Sequence, residues 1–155
     1  MPTAYFITFA TYGSRLHGDE RGTVDSEHRQ PGAPQAPANA RRQAANRAIM
    51  AEPAFLLEPR HRELVREAIS TLADHRQWKI EAMHVGQSHV HLVILAESHE
   101  PEIVASQCKA WSTRRLRESG SIGDRQRVWA RMASTRYLNT DAGHAAAIDY
   151  VTRFQ

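Results

Sequence analysis

A chain of 155 residues is long enough to bury one apolar core without covalent staples, and one domain over residues 1–155 is expected. The single cysteine, Cys108, excludes an intramolecular disulfide and a CxxC metal site, and no apolar run approaches the roughly 18 residues that span a bilayer, so a soluble cytoplasmic protein is expected. The 20 Lys and Arg against 17 Asp and Glu leave a formal charge of only +3, which by itself assigns no partner.

The first segment, Ala4 to Tyr12, is rich in aromatic and β-branched residues and stops at Gly13, which predicts a strand in the middle of a sheet. Pro31, Gly32, Pro34 and Pro37 make the stretch from Gln30 to Asn39 a surface loop, and a short helix is predicted from Arg41 to Ala51. Beyond Pro59, a residue preorganised for a first helical turn, Leu64, Val65, Ala68, Ile69, Leu72 and Ala73 recur at helical spacing. Trp78 to Val85 and His89 to Ala96 are strand-like runs joined by Gly86-Gln87-Ser88, the signature of an antiparallel hairpin. Pro101 opens a second long helix that carries Cys108 on its apolar side and ends before Gly120. Val128-Trp129 and Arg136-Tyr137-Leu138 read as short strands or an ordered loop, and Asp141 as the N-cap of a last helix through Phe154. The order β, loop, α, β-hairpin, α, β, α predicts an α+β fold, with helices packed on an antiparallel sheet.

Charge is distributed unevenly along this order. Arg114, Arg115, Arg117, Arg125, Arg127, Arg131 and Arg136 share their window with only Glu118 and Asp124, a footprint suited to a polyphosphate partner. The plainer alternative is a solvated, arginine-biased surface.

Because side chains alternate along a strand, His89 and His91 leave the same face while Val90 leaves the other, so two imidazoles can converge on one cation. They open an otherwise apolar strand, where buried imidazoles need a hydrogen bond or a metal. A histidine-triad hydrolase would place a third histidine at position 93, which is Val93 here. Tyr150 borders an apolar stripe of Ala147, Ile148, Val151 and Phe154, and on periodicity alone it reads as a packing residue. Tyr137 is a second candidate phenol. His84 reads as a core residue or a partner of the histidine pair, and His28, His61, His75, His99 and His144 as surface residues. Trp78, Trp111 and Trp129 suit packing or base stacking.

Several segments in order resemble one known family. Ala4 to Gly13 followed by Leu16-His-Gly-Asp-Glu-Arg-Gly22, the His89-Val90-His91 triplet, Ser134-Thr-Arg-Tyr-Leu138, and Asp149-Tyr-Val151 with Gln155 resemble the small HUH single-tyrosine transposases, in particular the REP-associated branch. The resemblance implies a ferredoxin-like, RRM-like fold in which His89 and His91 hold Mg²⁺ or Mn²⁺ and Tyr150 is the nucleophile. It makes Gln155 a candidate third ligand, although five positions on a helix turn that residue about 140° away from Tyr150, so a bulged or unwound end is needed. Water or another residue is the alternative ligand.

The implied activity is metal-dependent nicking and strand transfer on single-stranded DNA through a 5′-phosphotyrosine link. The implied substrate is a hairpin with flanking bases. Arg15, His17, Arg21, Arg114, Arg115, Arg131, Ser134, Thr135 and Arg136 are the candidate DNA contacts, with Asp19 and Glu20 shaping the loop after the first strand. Relatives of this kind act either as homodimers that exchange the tyrosine helix or as monomers. A domesticated nucleic-acid-binding protein that keeps the fold without catalysis is the alternative.

Overall fold

A computed structural model describes residues 4–14 and 52–153. Its elements run β1 (Ala4–Thr11), α1 (Pro59–Arg76), β2 (Lys79–Val85), β3 (His89–Leu95), α2 (Pro101–Glu118), β4 (Trp129–Leu138) and α3 (Asp141–Thr152). The predicted proline-rich loop and the helix at 41–51 lie outside the described residues.

The strands form one sheet in the order β2-β3-β1-β4 with every neighbouring pair antiparallel. This βαββαβ order is the ferredoxin-like α+β arrangement, to which α3 is added on the opposite face. Both crossover helices open with proline at the first turn, where no hydrogen-bonded N–H is required. Gln77 ends α1 in the left-handed conformation (φ 61°), and its neighbour Trp78 returns its N–H to the Ala73 carbonyl at 2.9 Å, turning the chain into β2.

Alternation divides the sheet into two unequal faces. Ile7 and Phe9 of β1 and Val90, Leu92 and Ile94 of β3 pack with Val65, Ile69 and Leu72 of α1 and Val104, Cys108 and Leu116 of α2. Burial in this layer pushes the Cys108 thiol up to about 12, so it stays protonated and serves as a small apolar core group. The opposite face carries a smaller cluster, Ala82, Val93, Ala147 and Val151, with Phe6, Leu138 and Ile148 against it. No described helix is long and apolar enough to cross a membrane.

Three details differ from the sequence expectation. The two short strands expected at 128–129 and 136–138 are one continuous strand of 10 residues. Its middle, Ala130-Arg131-Met132-Ala133, lacks apolar alternation because β4 is an edge strand paired only with β1. Lys109 of α2 secures that stretch, its half-buried ammonium donating to the carbonyls of Ala130 at 2.9 Å and Arg131 at 3.3 Å. Second, α3 is capped by Thr140 rather than Asp141: Thr140 is extended, and its hydroxyl accepts from the Gly143 N–H at 3.0 Å. Asp141 instead enters the first turn, where its charge suits the helix dipole. Third, His61 is buried rather than on the surface, its ring 5.5 Å from that of Phe55 and its Nδ1 accepting the Glu58 N–H at 3.1 Å.

The large face carries the stability of the fold. Ile69→Ala is expected to cost about 2–5 kcal/mol, read as a lower urea midpoint at unchanged slope; a loss below 1 kcal/mol would show that this layer relaxes around the cavity.

Candidate active site

On the smaller face the strand register builds rows of side chains. His84 of β2 pairs with His91 of β3, His91 with Thr8 of β1, and Thr8 with Ser134 of β4, so one row crosses all four strands. The next row is Ala82, Val93, Phe6 and Arg136, and on the other side of His91 the partner of Ala10 is His89. Directly opposed residues in a sheet project together. Two full rows, eight residues from four strands, therefore share the face of α3 because of register alone.

The histidine rings lie parallel, with centroids 6.2 Å apart and planes inclined by 6°. A hydroxyl holds Nδ1 of each: Ser88 Oγ lies 2.8 Å from His89 and Thr8 Oγ1 lies 3.0 Å from His91. In the tautomer with Nδ1 protonated, Nε2 carries the ligating lone pair, the arrangement by which partners orient a metal-binding imidazole. His84 stacks on His91 at 6.2 Å, and burial, then the charges of Arg66 and Arg62, lower its pKa. The tight turn between the strands depends on Gly86, because a Cβ there would meet His84 Nε2 at 3.1 Å and the His89 carbonyl at 3.3 Å.

Helix α3 lies over this face through Ala147 and Val151, one turn apart. Tyr150 sits beside them at the border, 41% exposed. Its ring meets His91 edge-on at 5.7 Å and Phe6 at 5.9 Å. The Arg136 guanidinium lies 5.2 Å over the other ring it shares this space with, Phe6. These groups, with Thr8 and Ser134, line a cleft of about 440 Å³ between the sheet and α3. The smaller face thus gathers an imidazole pair, a phenol and a guanidinium, a set able to bind and attack a phosphodiester.

Other sequence candidates fall elsewhere. Thr135 points away from Ser134 and Arg136, and its hydroxyl donates to Glu102 of α2 at 3.2 Å. Arg114 and Arg115 belong to α2, beyond the sheet; Arg114 lies 5.5 Å over the Trp111 ring and Arg115 bridges to Glu67 at 3.4 Å. Arg131 is exposed on β4. Tyr137 also faces away from His91 and packs edge-on against Tyr5 at 5.2 Å. Tyr5 itself is buried, donates to the His99 carbonyl at 2.7 Å, and has its phenol pKa raised by burial and then by Tyr137, Glu100 and Glu102. Arg15, His17, Arg21, Asp19, Glu20 and Gln155 lie outside the described residues. Sequence reasoning missed Thr8, Ser88 and Phe6; Ser88 was visible as the neighbour of His89, but Thr8 and Phe6 required the β1–β3 register.

Among the described residues, no three His, Cys, Asp or Glu side chains gather to hold an ion. His89 and His91 are therefore a two-nitrogen donor set. It fits a six-coordinate divalent ion that keeps open positions for water and substrate oxygen.

A family model for IS200-like transposases matches residues 49–154. Among curated proteins no sequence match is found. The structure is similar to a REP-associated tyrosine transposase bound to a REP hairpin, with a TM-score of 0.53 at 13% identity over 97% of this chain. The chain spans 64% of the length of that protein. It is also similar to the crystal structure of a candidate transposase from Deinococcus radiodurans R1, with a TM-score of 0.55 at 12% identity, covering 100% of this chain and 92% of the other.

A polar tie between α3 and the sheet runs from His144 to Glu81, a half-buried pair. Glu81 occupies the register shift in β2 between Ile80 and Ala82. Because the apolar contact beneath α3 is small, Glu81→Ala is expected to raise amide exchange across residues 141–152 about fivefold, near ~1 kcal/mol of local opening, while leaving the global unfolding midpoint almost unmoved. Unchanged exchange would show that the apolar cluster alone fixes the helix.

Proposed function

The chain belongs to the IS200-like transposase family, and from that premise we propose that it nicks and rejoins single-stranded DNA, with Tyr150 as nucleophile and a divalent metal held by His89 and His91. The observation that carries this reading is the approach of the Tyr150 ring to His91 at 5.7 Å, in a cleft that also holds Arg136.

The chemistry is a transesterification. The Tyr150 oxygen attacks the scissile phosphorus, the P–O3′ bond breaks, and the 3′ oxygen leaves as a hydroxyl with the proton that the phenol gives up. The product is a 5′-phosphotyrosine, which keeps one phosphodiester for the one broken, so a 3′-hydroxyl can reverse the step without ATP. A phenol of ordinary pKa near 10 is a poor nucleophile at neutral pH, which is why a cation that polarises the phosphate is needed. Mg²⁺ or Mn²⁺ would supply that polarisation, and nitrogen donors favour Mn²⁺ of the two. Gln155 is the proposed further ligand, with water or substrate oxygen as the alternative.

This chain's own residues supply the remainder. Thr8 and Ser88 fix the imidazole rings, while Phe6 supports both the Tyr150 ring and the Arg136 guanidinium. Arg136 and Ser134 bind the phosphate flanking the cut. Tyr150 and His91 meet within one chain, which supports a site assembled in a single protomer. The hairpin partner is carried over from the structural relative, which is bound to a REP hairpin, and single-stranded flanking bases are proposed in addition.

A 5′-labelled hairpin with single-stranded flanks should be cut in Mg²⁺ or Mn²⁺, leaving a protein–DNA adduct that survives denaturing gels. Tyr150→Phe should abolish the adduct and lower cleavage at least about a thousandfold without reducing DNA affinity; normal cleavage by that variant would remove Tyr150 from the role. Chelation with EDTA should stop cleavage and added Mn²⁺ restore it, whereas His89→Ala with His91→Ala should stay inactive after the metal is added. Metal-independent binding with no adduct under any condition would favour the non-catalytic DNA-binding alternative.

A further inference from the structure

A second group of aromatic and cationic residues lies off the end of β1. Along the face that bears the histidines, β1 presents Phe6, Thr8 and Ala10, whose β3 partners are Val93, His91 and His89. Tyr12 lies in the turn just past β1, beyond the register shift between Phe9 and Thr11, its N–H donating to the Val128 carbonyl at 2.8 Å. The Arg125 guanidinium lies 4.8 Å over Phe55 and 5.9 Å over Tyr12, and that of Arg127 lies 5.9 Å over Tyr12.

The arrangement is braced from several sides. Arg125 donates to the Pro53 carbonyl and, through Nε, to the Arg127 carbonyl at 2.7 Å. Arg117 of α2 donates to the carbonyls of Arg125 at 2.5 Å and Gln126 at 3.1 Å. Glu52 accepts the N–H groups of Gln126 at 3.0 Å and Arg127 at 2.6 Å, and these bonds hold its carboxyl below the usual range. Arg125 is thus committed to holding the loop. Arg127 is different: its main chain is pinned while its guanidinium rests exposed over an aromatic ring. Three guanidiniums stand here against the carboxylates of Glu52 and Asp124, leaving positive charge.

We propose that Tyr12, Arg125 and Arg127 form a subsite for one unpaired nucleotide, with its base stacked on the exposed Arg127 guanidinium beside the half-buried Tyr12 ring and its phosphate bound by Arg127. Aromatic rings and guanidinium planes accept any base by stacking, and a guanidinium carried on a pinned main chain and resting on a ring loses less freedom when it binds. Tyr12 follows Thr8, beside His91, by four residues, so the two lie at most about 14 Å apart along the chain. A few nucleotides of single strand, each at least about 3.4 Å, span that distance. The subsite therefore reads a base a short, fixed number of nucleotides from the phosphate in the cleft. This inference rests on the proposed DNA partner but not on the chemistry at Tyr150.

The test measures anisotropy of a fluorescein-labelled DNA hairpin with a thymidine flank, using the full chain and a series in which one abasic residue is walked along the flank. Arg127→Gln, an exposed change, should weaken binding of the intact flank about fivefold or more. That penalty should shrink when the abasic residue occupies one particular position, where the stacking is lost and only the phosphate contact remains. Tyr12→Phe should bind as the wild type does, and Tyr12→Leu should share the Arg127→Gln loss and its positional dependence. A penalty equal on every member of the series, or none at all, overturns the subsite while leaving the DNA partner intact. Failure of the wild type to bind any hairpin overturns the DNA reading, and the subsite with it.

Discussion

The two faces of β3 constrain everything else in this molecule. Its seven residues alternate, so Val90, Leu92 and Ile94 enter the layer beneath α1 and α2, while His89, His91 and Val93 are delivered together to the opposite face. A slip of one residue would bury two imidazoles among aliphatic groups and expose three large apolar side chains, a double cost that fixes the register. The interior position of β3, hydrogen-bonded to β1 and β2 on either side, leaves no slack for the imidazoles to move apart. Rigidity at the histidines is thus a by-product of core packing rather than a separate device.

The smaller face has the opposite character. Helix α3 touches the sheet through Ala147 and Val151, with Ile148 at the margin, and adds a half-buried hydrogen-bonded pair, His144 with Glu81. A helix held so lightly can shift at low cost, whereas the crossover helices cannot, because each buries a row of large aliphatic residues. The division places the proposed metal donors on the most rigid part of the fold and the proposed nucleophile on the most loosely attached described helix. In the proposed reaction that division keeps the metal donors fixed while the phenol moves with α3.

Arginine density along the sequence turns out to be a poor map of a binding surface. Arg114 and Arg115 stand on α2, separated from the histidines by the sheet. Arg117 and Arg125 spend their donors on carbonyls of the loop before β4. Arg136 alone of the seven lines the cleft with Tyr150. The reason is geometric: the window crosses a helix, a loop and an edge strand, and each element turns its residues in a different direction. Within Ser134-Thr135-Arg136 the same alternation that unites His89 and His91 sends Thr135 to the far side.

What the sequence determined by itself was whatever depends on local periodicity. The helical spacing of Leu64 to Ala73, the hairpin around Gly86 and the shared face of His89 and His91 follow from 3.6- and 2-residue repeats that need no partner to be read. Family membership was also legible, because ordered segments survive where overall identity does not. The tertiary structure decided everything that depends on which strand lies beside which. Only register sets Thr8 against His91, Phe6 under Tyr150, and Arg136 rather than Arg114 in the cleft. It also settled that Tyr150, not Tyr137, shares a face with the histidines: what separates the two phenols is the thickness of a sheet, a quantity no window of neighbouring residues contains.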